Sequence, residues 1–435
     1  MSGHLQPAAD QLRRRCRWPA DQRRRGAEDL PGGRQVSVAT RPVWFGAWLA
    51  AAALGLAGCG GGGVSVTDTA SGGAGSGSTA GGDGQWRWEL PADFPVPAVP
   101  ADNPMSTAKV ELGRYLFYDV RLSGNGTQAC ASCHQQDKAF TDGLATAIGS
   151  TGAAHPRAAQ PLVNVAYHPT LTWANPSLVT LEKQMEVPLF GESPVEMGVN
   201  DGNKDAVLGR LAGDPLYPPL FAAAFAQDTA PIRWDNVIKA IATFQRSIVS
   251  AGSRYDAFEA GKGTLSAQEL RGMQLFFGEK AECFHCHSGP NFNDQFVHST
   301  TRVLETPFHN TGLYNLGGTG AYPEPNRGVF ELTGKPQDMG MFRAQSLRNV
   351  ELTAPYMHDG SIPTLEAVLD FYAAGGRDIT SGPYAGDGRA NPLKDNLVSR
   401  IDLNEQEKAD IVAFLKTLTD HDLITNPKYA NPFAQ

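Results

Sequence analysis

A mainly α fold with long loops, little β structure and two related halves is what this sequence predicts, and three observations carry that expectation. Two short stretches of one pattern occur far apart, Cys130-Ala131-Ser132-Cys133-His134 and Cys283-Phe284-His285-Cys286-His287. Each follows a segment with apolar residues at helical spacing. Alternating strand patterns are scarce, whereas amphipathic helical ones recur as far as Phe414 and Leu415.

The elements follow in order. Residues 86–104 hold Trp86, Trp88 and many prolines and read as an extended lead-in. Residues 105–118 place Val110, Leu112, Leu116 and Phe117 at helical spacing, with Ser106 or Thr107 as N-cap. A Gly/Ala-rich loop spans 143–161, and short helices are expected over 178–185 and 205–211. A stronger one covers 234–250, with Val237, Ile238, Ile241, Phe244 and Ile248 on one face. Residues 265–277 form a helix opened by Ser266 and Glu269 at capping-box spacing. The last helix is expected over 404–418. Glu111-Leu112-Gly113-Arg114-Tyr115-Leu116-Phe117 parallels Glu269 to Phe277, a weak internal repeat that sets one half at 85–255 and the other at 256–435.

The chain has 435 residues, 41% hydrophobic and 19% charged, with 48 Gly and 30 Pro and a net charge of -8. Residues 1–58 hold nine arginines against four acids, so the remainder is more acidic than the whole. An acidic body argues against nucleic acid or an anionic membrane as partner. Arg41, the apolar run 43–56 and Leu56-Ala57-Gly58-Cys59 read as a leader, 1–58, ending in a lipobox, with lipid on the Cys59 thiol. Plain signal-peptidase cleavage is the alternative, and either route exports the protein. Residues 59–84, nearly all Gly, Ser, Thr and Ala, form a flexible tether with a reach of roughly 25–30 Å. The expected location is the periplasm, as a lipoprotein anchored to the outer membrane and facing inward.

C-x-x-C-H is the attachment signature of a c-type haem. Two thiols bond to the vinyl-derived carbons of one haem edge, and the adjacent imidazole ligates the iron. Zinc or dithiol redox chemistry also fits one C-x-x-C. The His that follows immediately, twice, points instead to two covalently bound haems, on Cys130, Cys133 and His134 and on Cys283, Cys286 and His287. The two remaining cysteines are Cys16 and Cys59. Each haem-carrying half, with a C-terminal helix packing back on an N-terminal one, is cytochrome c-like.

Over residues 86–425 the chain resembles the bacterial di-haem cytochrome c peroxidase and MauG family. The motifs that carry the resemblance are Leu112-Gly113-Arg114-Tyr115-Leu116-Phe117, Ala139-Phe140-Thr141-Asp142, Glu196-Met197-Gly198, Ser346-Leu347-Arg348-Asn349-Val350 and Thr353-Ala354-Pro355-Tyr356-Met357-His358-Asp359-Gly360. Leu171-Thr172-Trp173-Ala174-Asn175-Pro176 stands where peroxidases read W-D-G-R, and looks closest to the MbnH-like, tryptophan-oxidising subgroup.

The resemblance implies the following roles. The haem on His134 meets hydrogen peroxide beneath Glu196, the distal acid–base group, with Gln184 the distal glutamine and Pro188 shaping the pocket. Gln184 and Glu196 lie two residues further apart than is usual. Trp173 is the tryptophan between the haems. Asn164, Thr353 and Pro355 match a calcium site, whose oxygen donors suit that hard ion. The second haem takes a distal ligand fourteen residues after His358. Peroxidases have Met there and this chain has Tyr372, as MauG has Tyr. A hard, anionic phenolate stabilises higher iron oxidation states than a thioether does. His358 supports a haem propionate or the interhaem region. His155 is the nearest counterpart of a movable distal histidine in some peroxidases, but its spacing from His134 is larger, so the first haem is expected to be open. A surface Trp that MauG carries before its second motif is Ala281 here.

Three functions stay open at this stage. One is a peroxide-dependent di-haem enzyme that oxidises a residue, Trp by resemblance, on a secreted or periplasmic partner through a high-valent bis-haem state. The second is a peroxidase fed by cytochrome c, and the third a non-enzymatic electron-transfer lipoprotein.

Overall fold

The computed structural model describes residues 86–434; the expected leader, Cys59 and most of the tether lie outside the described residues. The longer helices are α1 (Thr107–Tyr118), α2 (Leu181–Phe190), α3 (Lys204–Ala212), α4 (Tyr217–Ala224), α5 (Trp234–Ser247), α6 (Arg254–Glu259), α7 (Ala267–Phe276), α8 (Leu365–Ala374), α9 (Glu405–Lys416) and α10 (His421–Thr425). Among the described residues the only ladder is a two-residue hairpin, β1 (Asp378–Ile379) against β2 (Gly386–Asp387), antiparallel with Asp378 opposite Asp387. The fold is mainly α, as the sequence predicts.

The internal repeat is a real structural one. In the first half α1 crosses α5, and in the second α7 crosses α9. Each crossing is built on a glycine. A Cβ on Gly113 would overlap the Ala240 carbonyl and crowd Phe244, and a Cβ on Gly272 would overlap the Asp410 carbonyl and crowd Phe414. The caps read from sequence are present. The Ser106 Oγ accepts from Lys109 N–H and Ser266/Glu269 close a capping box, and the structure adds a further box at Asn404/Glu407.

A second pair of matching residues follows each crossing. Asn164 and Asn349 both adopt φ 61° and ψ 20°, and each opens a 3-10 turn. Asn tolerates this left-handed conformation better than most residues. The Asn164 N–H donates to Ile248 O (2.9 Å), just past α5, and the Asn349 N–H to Leu418 O (3.1 Å), just past α9. Their side-chain Oδ1 atoms accept from the Ser250 and Asp420 N–H groups at 2.7 and 2.8 Å. The Asn349 Nδ2 reaches Ser250 Oγ, which donates to Asp420 Oδ2, so the repeated corners are bonded to each other.

The halves lie in one compact unit, Gly81–Gln435. After α9 the chain returns to the first half. Leu423 and Tyr429 enter the core built by Leu112, Leu116, Phe117, Ile241 and Phe244. The Gln136 Nε2 donates to Leu423 O and Asn426 O, fixing α10 against the turn that follows the first motif. A separate aromatic cluster around Tyr314, Tyr322, Phe342 and Phe371 gathers Trp173, Tyr356 and Tyr372 at its edge.

Some elements depart from expectation. The helix expected over 178–185 is α2, shifted toward the C-terminus and running through Pro188. Thr180 caps it, which the loop-like sequence before it conceals. α4 begins Tyr217-Pro218-Pro219, and these prolines sit in the first turn, where the missing N–H groups have no intrahelical partner to lose. α8 buries Leu365, Leu369 and Phe371 and leaves Glu366, Asp370 and Ala374 exposed.

Candidate active site

Each C-x-x-C-H stretch closes on itself. The His134 N–H donates to Cys130 O (3.1 Å) and the His287 N–H to Cys283 O (2.9 Å). Each ring is then held from behind, with His134 Nδ1 2.8 Å from Phe140 O and His287 Nδ1 3.0 Å from Phe292 O. Both phenylalanines have left-handed backbones, φ 63° and 51°, which turn their carbonyls to the rings. A carbonyl can only accept, so the proton sits on Nδ1 and Nε2 keeps its lone pair, the form a metal ligand needs. All four motif cysteines are free of disulfides, and burial pushes the Cys130 and Cys283 thiols up to about 12. A dithiol redox pair needs the opposite shift. The donor sets therefore fit two c-type haems.

Beside the first motif lies a cavity of about 320 Å³. Its wall brings together Cys130, Cys133, His134, Gln184, Pro188, Glu196 and Trp173. Gln184 and Pro188 stand one turn apart on α2. The loop carrying Glu196 is tied to that helix, since the Met197 N–H donates to Pro188 O (2.9 Å) and the Val199 N–H to Leu189 O (3.1 Å). On its other side the Ser150 N–H donates to Glu196 O (2.8 Å). Gly149 has no room for a side chain, because its Cβ would overlap the Val195 carbonyl. Gln184 and Glu196 both line the cavity. Burial pushes the Glu196 carboxyl up to about 7.

His155 also lines the cavity, with Nε2 3.6 Å from Glu196 Oε1. The shorter backbone contact of its Nδ1 is the Arg157 N–H at 3.1 Å, which it accepts, so the ring proton faces Glu196. Burial lowers the His155 pKa, keeping the ring neutral.

Trp173 stands between the two sites. It borders the cavity and also packs on the aromatic cluster, with its ring centroid 6.4 Å from that of His358. Its Nε1–H donates to Ala158 O (2.9 Å), and the Arg343 N–H donates to Trp173 O (2.9 Å).

Arg343 is a further candidate site residue, outside the motifs quoted above. It is buried, and burial lowers its pKa to about 10. Its guanidinium bonds to Thr172 O, His168 Nδ1, Gln160 Oε1 and Gln345 Oε1, all neutral. Burial holds His168 itself well below its ordinary value. His358, stacked 3.8 Å from Phe342, is also kept neutral, and its Nε2 is buried with no hydrogen-bond partner. A buried cation without a carboxylate and an orphaned ring nitrogen are costly unless an anionic group meets them. Haem carboxylates are such groups. An arginine three residues before Ser346 was the only signal in the sequence.

At the second site Tyr372 projects from α8. Burial raises its hydroxyl pKa, and the Cys286 and Cys283 thiols add to the shift, so the phenol lies within electrostatic reach of the second motif. His309 is clamped between Asp294 Oδ2 and Asp395 Oδ2, at 2.5 Å each. Burial opposes its charge, but the carboxylates of Asp294 and Asp395 on either side outweigh that and raise its pKa above the ordinary value. His285 is exposed and Ala281 buried. Asn164 is committed to Ser250 and Asn291, and the Thr353 Oγ1 to Val350 O. Among the described residues no hydrogen bond joins Asn164, Thr353 and Pro355.

Two haem-binding motifs on a mainly α chain, the first beside a cavity that Glu196 lines, point to a di-haem c-type oxidoreductase. The profile of di-haem cytochrome c peroxidases matches residues 107–264, and that of RoxA-like, cytochrome c-like proteins matches 341–373. The chain is 38% identical over 341 residues to cytochrome-c peroxidase IdrP1 of Denitromonas iodatirespirans, covering 75% of this chain and 85% of that protein. It is 35% identical over 322 residues to the methylamine utilization protein MauG of Methylorubrum extorquens, covering 73% and 80%. The crystal structure of a MauG-like protein associated with microbial copper homeostasis shares 57% identity, with a TM-score of 0.79, over 80% of this chain and all of that one. The chain belongs to the di-haem cytochrome c peroxidase and MauG family, and is an enzyme of that family carrying two c-type haems.

Proposed function

We propose that the protein uses hydrogen peroxide to oxidise a residue, a tryptophan, on an exported partner protein, with the two oxidising equivalents shared between its haem sites. The observation that carries this reading is Tyr372 beside the second motif. When bound, the haems supply the iron that reduces peroxide and stores what is left of its oxidising power.

The chain's own residues then divide the work. His134 and His287 present Nε2 to the metals. Glu196, poised near pH 7, takes a proton from one peroxide oxygen and returns it to the other. The Gln184 amide, on the same cavity wall as Glu196, would orient peroxide by hydrogen bonding, and Pro188 shapes that wall. Tyr372 would hold the second haem's iron through its phenolate, and a hard, anionic donor there would lower that site's potential. Trp173 lies on the path between the sites. Arg343 and His358 answer the haem carboxylates. Asn164, Thr353 and Pro355 would offer oxygens to calcium, the Asn164 Oδ1 while it also accepts from the Ser250 N–H. Lipid on Cys59 and the tether hold the enzyme in the periplasm. The 57% identity to a MauG-like protein associated with copper homeostasis supports a copper-handling exported protein as the partner.

A peroxidase drawing electrons from a c-type cytochrome is the second reading, favoured by the similarity to the Denitromonas protein. Replacing Tyr372 with Met separates the two. The substitution is expected to raise the second site's potential and to create brisk peroxide turnover with reduced cytochrome c. If the natural protein already turns over as fast as Tyr372→Met, the proposal is wrong.

A further inference from the structure

We infer that electrons enter the second haem site from the protein surface along three tyrosines, Tyr384, Tyr314 and Tyr322, and that Tyr384 is the residue at which the partner is oxidised. This rests on the reading above, in which oxidising equivalents leave through the protein. It assigns them a route, which the buried Ala281 cannot provide.

The geometry is a continuous run of rings. Tyr322 belongs to the cluster that Tyr372 and Trp173 border, and lies 6.4 Å from His358, itself 6.4 Å from Trp173. From Tyr322 the next ring is Tyr314 at 5.4 Å, and from there Tyr384 at 5.9 Å. Tyr322 is 3% exposed, Tyr314 6% and Tyr384 46%, so the run leads from the core to the solvent. Phenols at these separations permit short electron steps, and nothing in the packing of a core requires three in file with the last exposed.

Oxidation of a phenol releases its proton, so a buried tyrosine needs an acceptor within hydrogen-bond reach. Tyr314 has one, for its Oη–H donates to Asp359 Oδ2 at 2.6 Å. Tyr322 donates to Asn310 Oδ1 at 2.8 Å and accepts from the Leu313 N–H, so when it gives up an electron its proton shifts along that bond to the amide oxygen and returns as Tyr314 reduces it. Each peroxide takes up two electrons and two protons, its O–O bond breaks, and two waters form. The electrons travel inward one at a time. As Tyr314 gives one up, its proton moves to Asp359. As Tyr384 reduces Tyr314, that proton returns. Tyr384 loses its own proton to solvent and regains both electron and proton when the partner residue is oxidised.

The test uses the diferric holoenzyme and one equivalent of hydrogen peroxide, with 2-methyl-2-nitrosopropane as radical trap and no partner. Peptide mapping reads where the trap attaches, and near-infrared absorption reads the peroxide-oxidised state. The expected result is a trap adduct on Tyr384 in the natural protein, lost in both Tyr322→Phe and Tyr314→Phe while the resting spectra of both haems and the near-infrared signal persist. An undiminished Tyr384 adduct in either variant overturns the route. A near-infrared signal in the natural protein with no Tyr384 adduct overturns the route and leaves the proposed function standing. Absence of that signal overturns both.

Discussion

The Nε2 of His155 faces Oε1 of Glu196 across 3.6 Å, at the wall of the cavity beside the first haem motif. Burial raises the Glu196 carboxyl to about 7, so near neutral pH it is divided between acid and base forms. The base form is needed to accept the first proton from peroxide. The rate of peroxide reaction with the diferric enzyme is therefore predicted to rise with pH, with a midpoint near 7, in stopped-flow measurements. Stability runs the other way. The native state holds this proton more tightly than the unfolded chain, so the group's contribution declines as pH rises from about 4.5 to about 7.

Glu196→Gln keeps the size and removes the base. The peroxide rate is predicted to fall by about 10²–10⁴-fold and its pH dependence to flatten. An unchanged rate would move the protein to the class of simple electron carriers.

His155 is neutral and its contact with Glu196 is long for a hydrogen bond. His155→Ala removes an N–H that favours the ionised carboxylate. The midpoint of the pH–rate profile is predicted to move upward by a fraction of a pH unit, with the limiting rate at high pH little changed.

Arg348 grips Asp256 with two hydrogen bonds, 2.8 and 2.9 Å, in a buried setting. Burial alone would raise the Asp256 pKa, but Arg348 and Ser253 outweigh it and hold the carboxyl below its ordinary range. Arg348→Met leaves that charge buried and unanswered, and is predicted to cost about 3–5 kcal/mol in denaturant unfolding. In the natural protein this contribution is present at neutral pH and fades as pH falls through the depressed pKa.

Gly113→Ala and Gly272→Ala should destabilise alike, by about 1–3 kcal/mol or more each, because a Cβ at either site meets a backbone carbonyl that cannot swing away. Unequal costs in chemical denaturation would show that one crossing can open and the other cannot.

Much of this was legible in the chain, for reasons that differ by residue. The two motifs are local, and covalent spacing alone reveals them. Helix caps such as Ser106 and Ser266 are local too. Gly113 and Gly272 stood inside the sequence repeat, but only the crossing helices show why no side chain fits. Glu196, Gln184 and Pro188 come from two segments and meet because main-chain bonds from Met197 and Val199 dock the loop on α2. Arg343 lies just before the motif that begins at Ser346 and is not part of it, and its meaning lies in what it fails to pair with. Tyr314, Tyr322 and Tyr384 are separated by loops and line up only after folding.

The measurement that bears most directly on the central claim is Mössbauer spectroscopy of ⁵⁷Fe-enriched diferric enzyme frozen after one equivalent of peroxide. The account predicts that both iron sites, on His134 and on His287, move together beyond the ferric level and remain there while no partner is present. A change at one site alone, with the other still ferric, would contradict it.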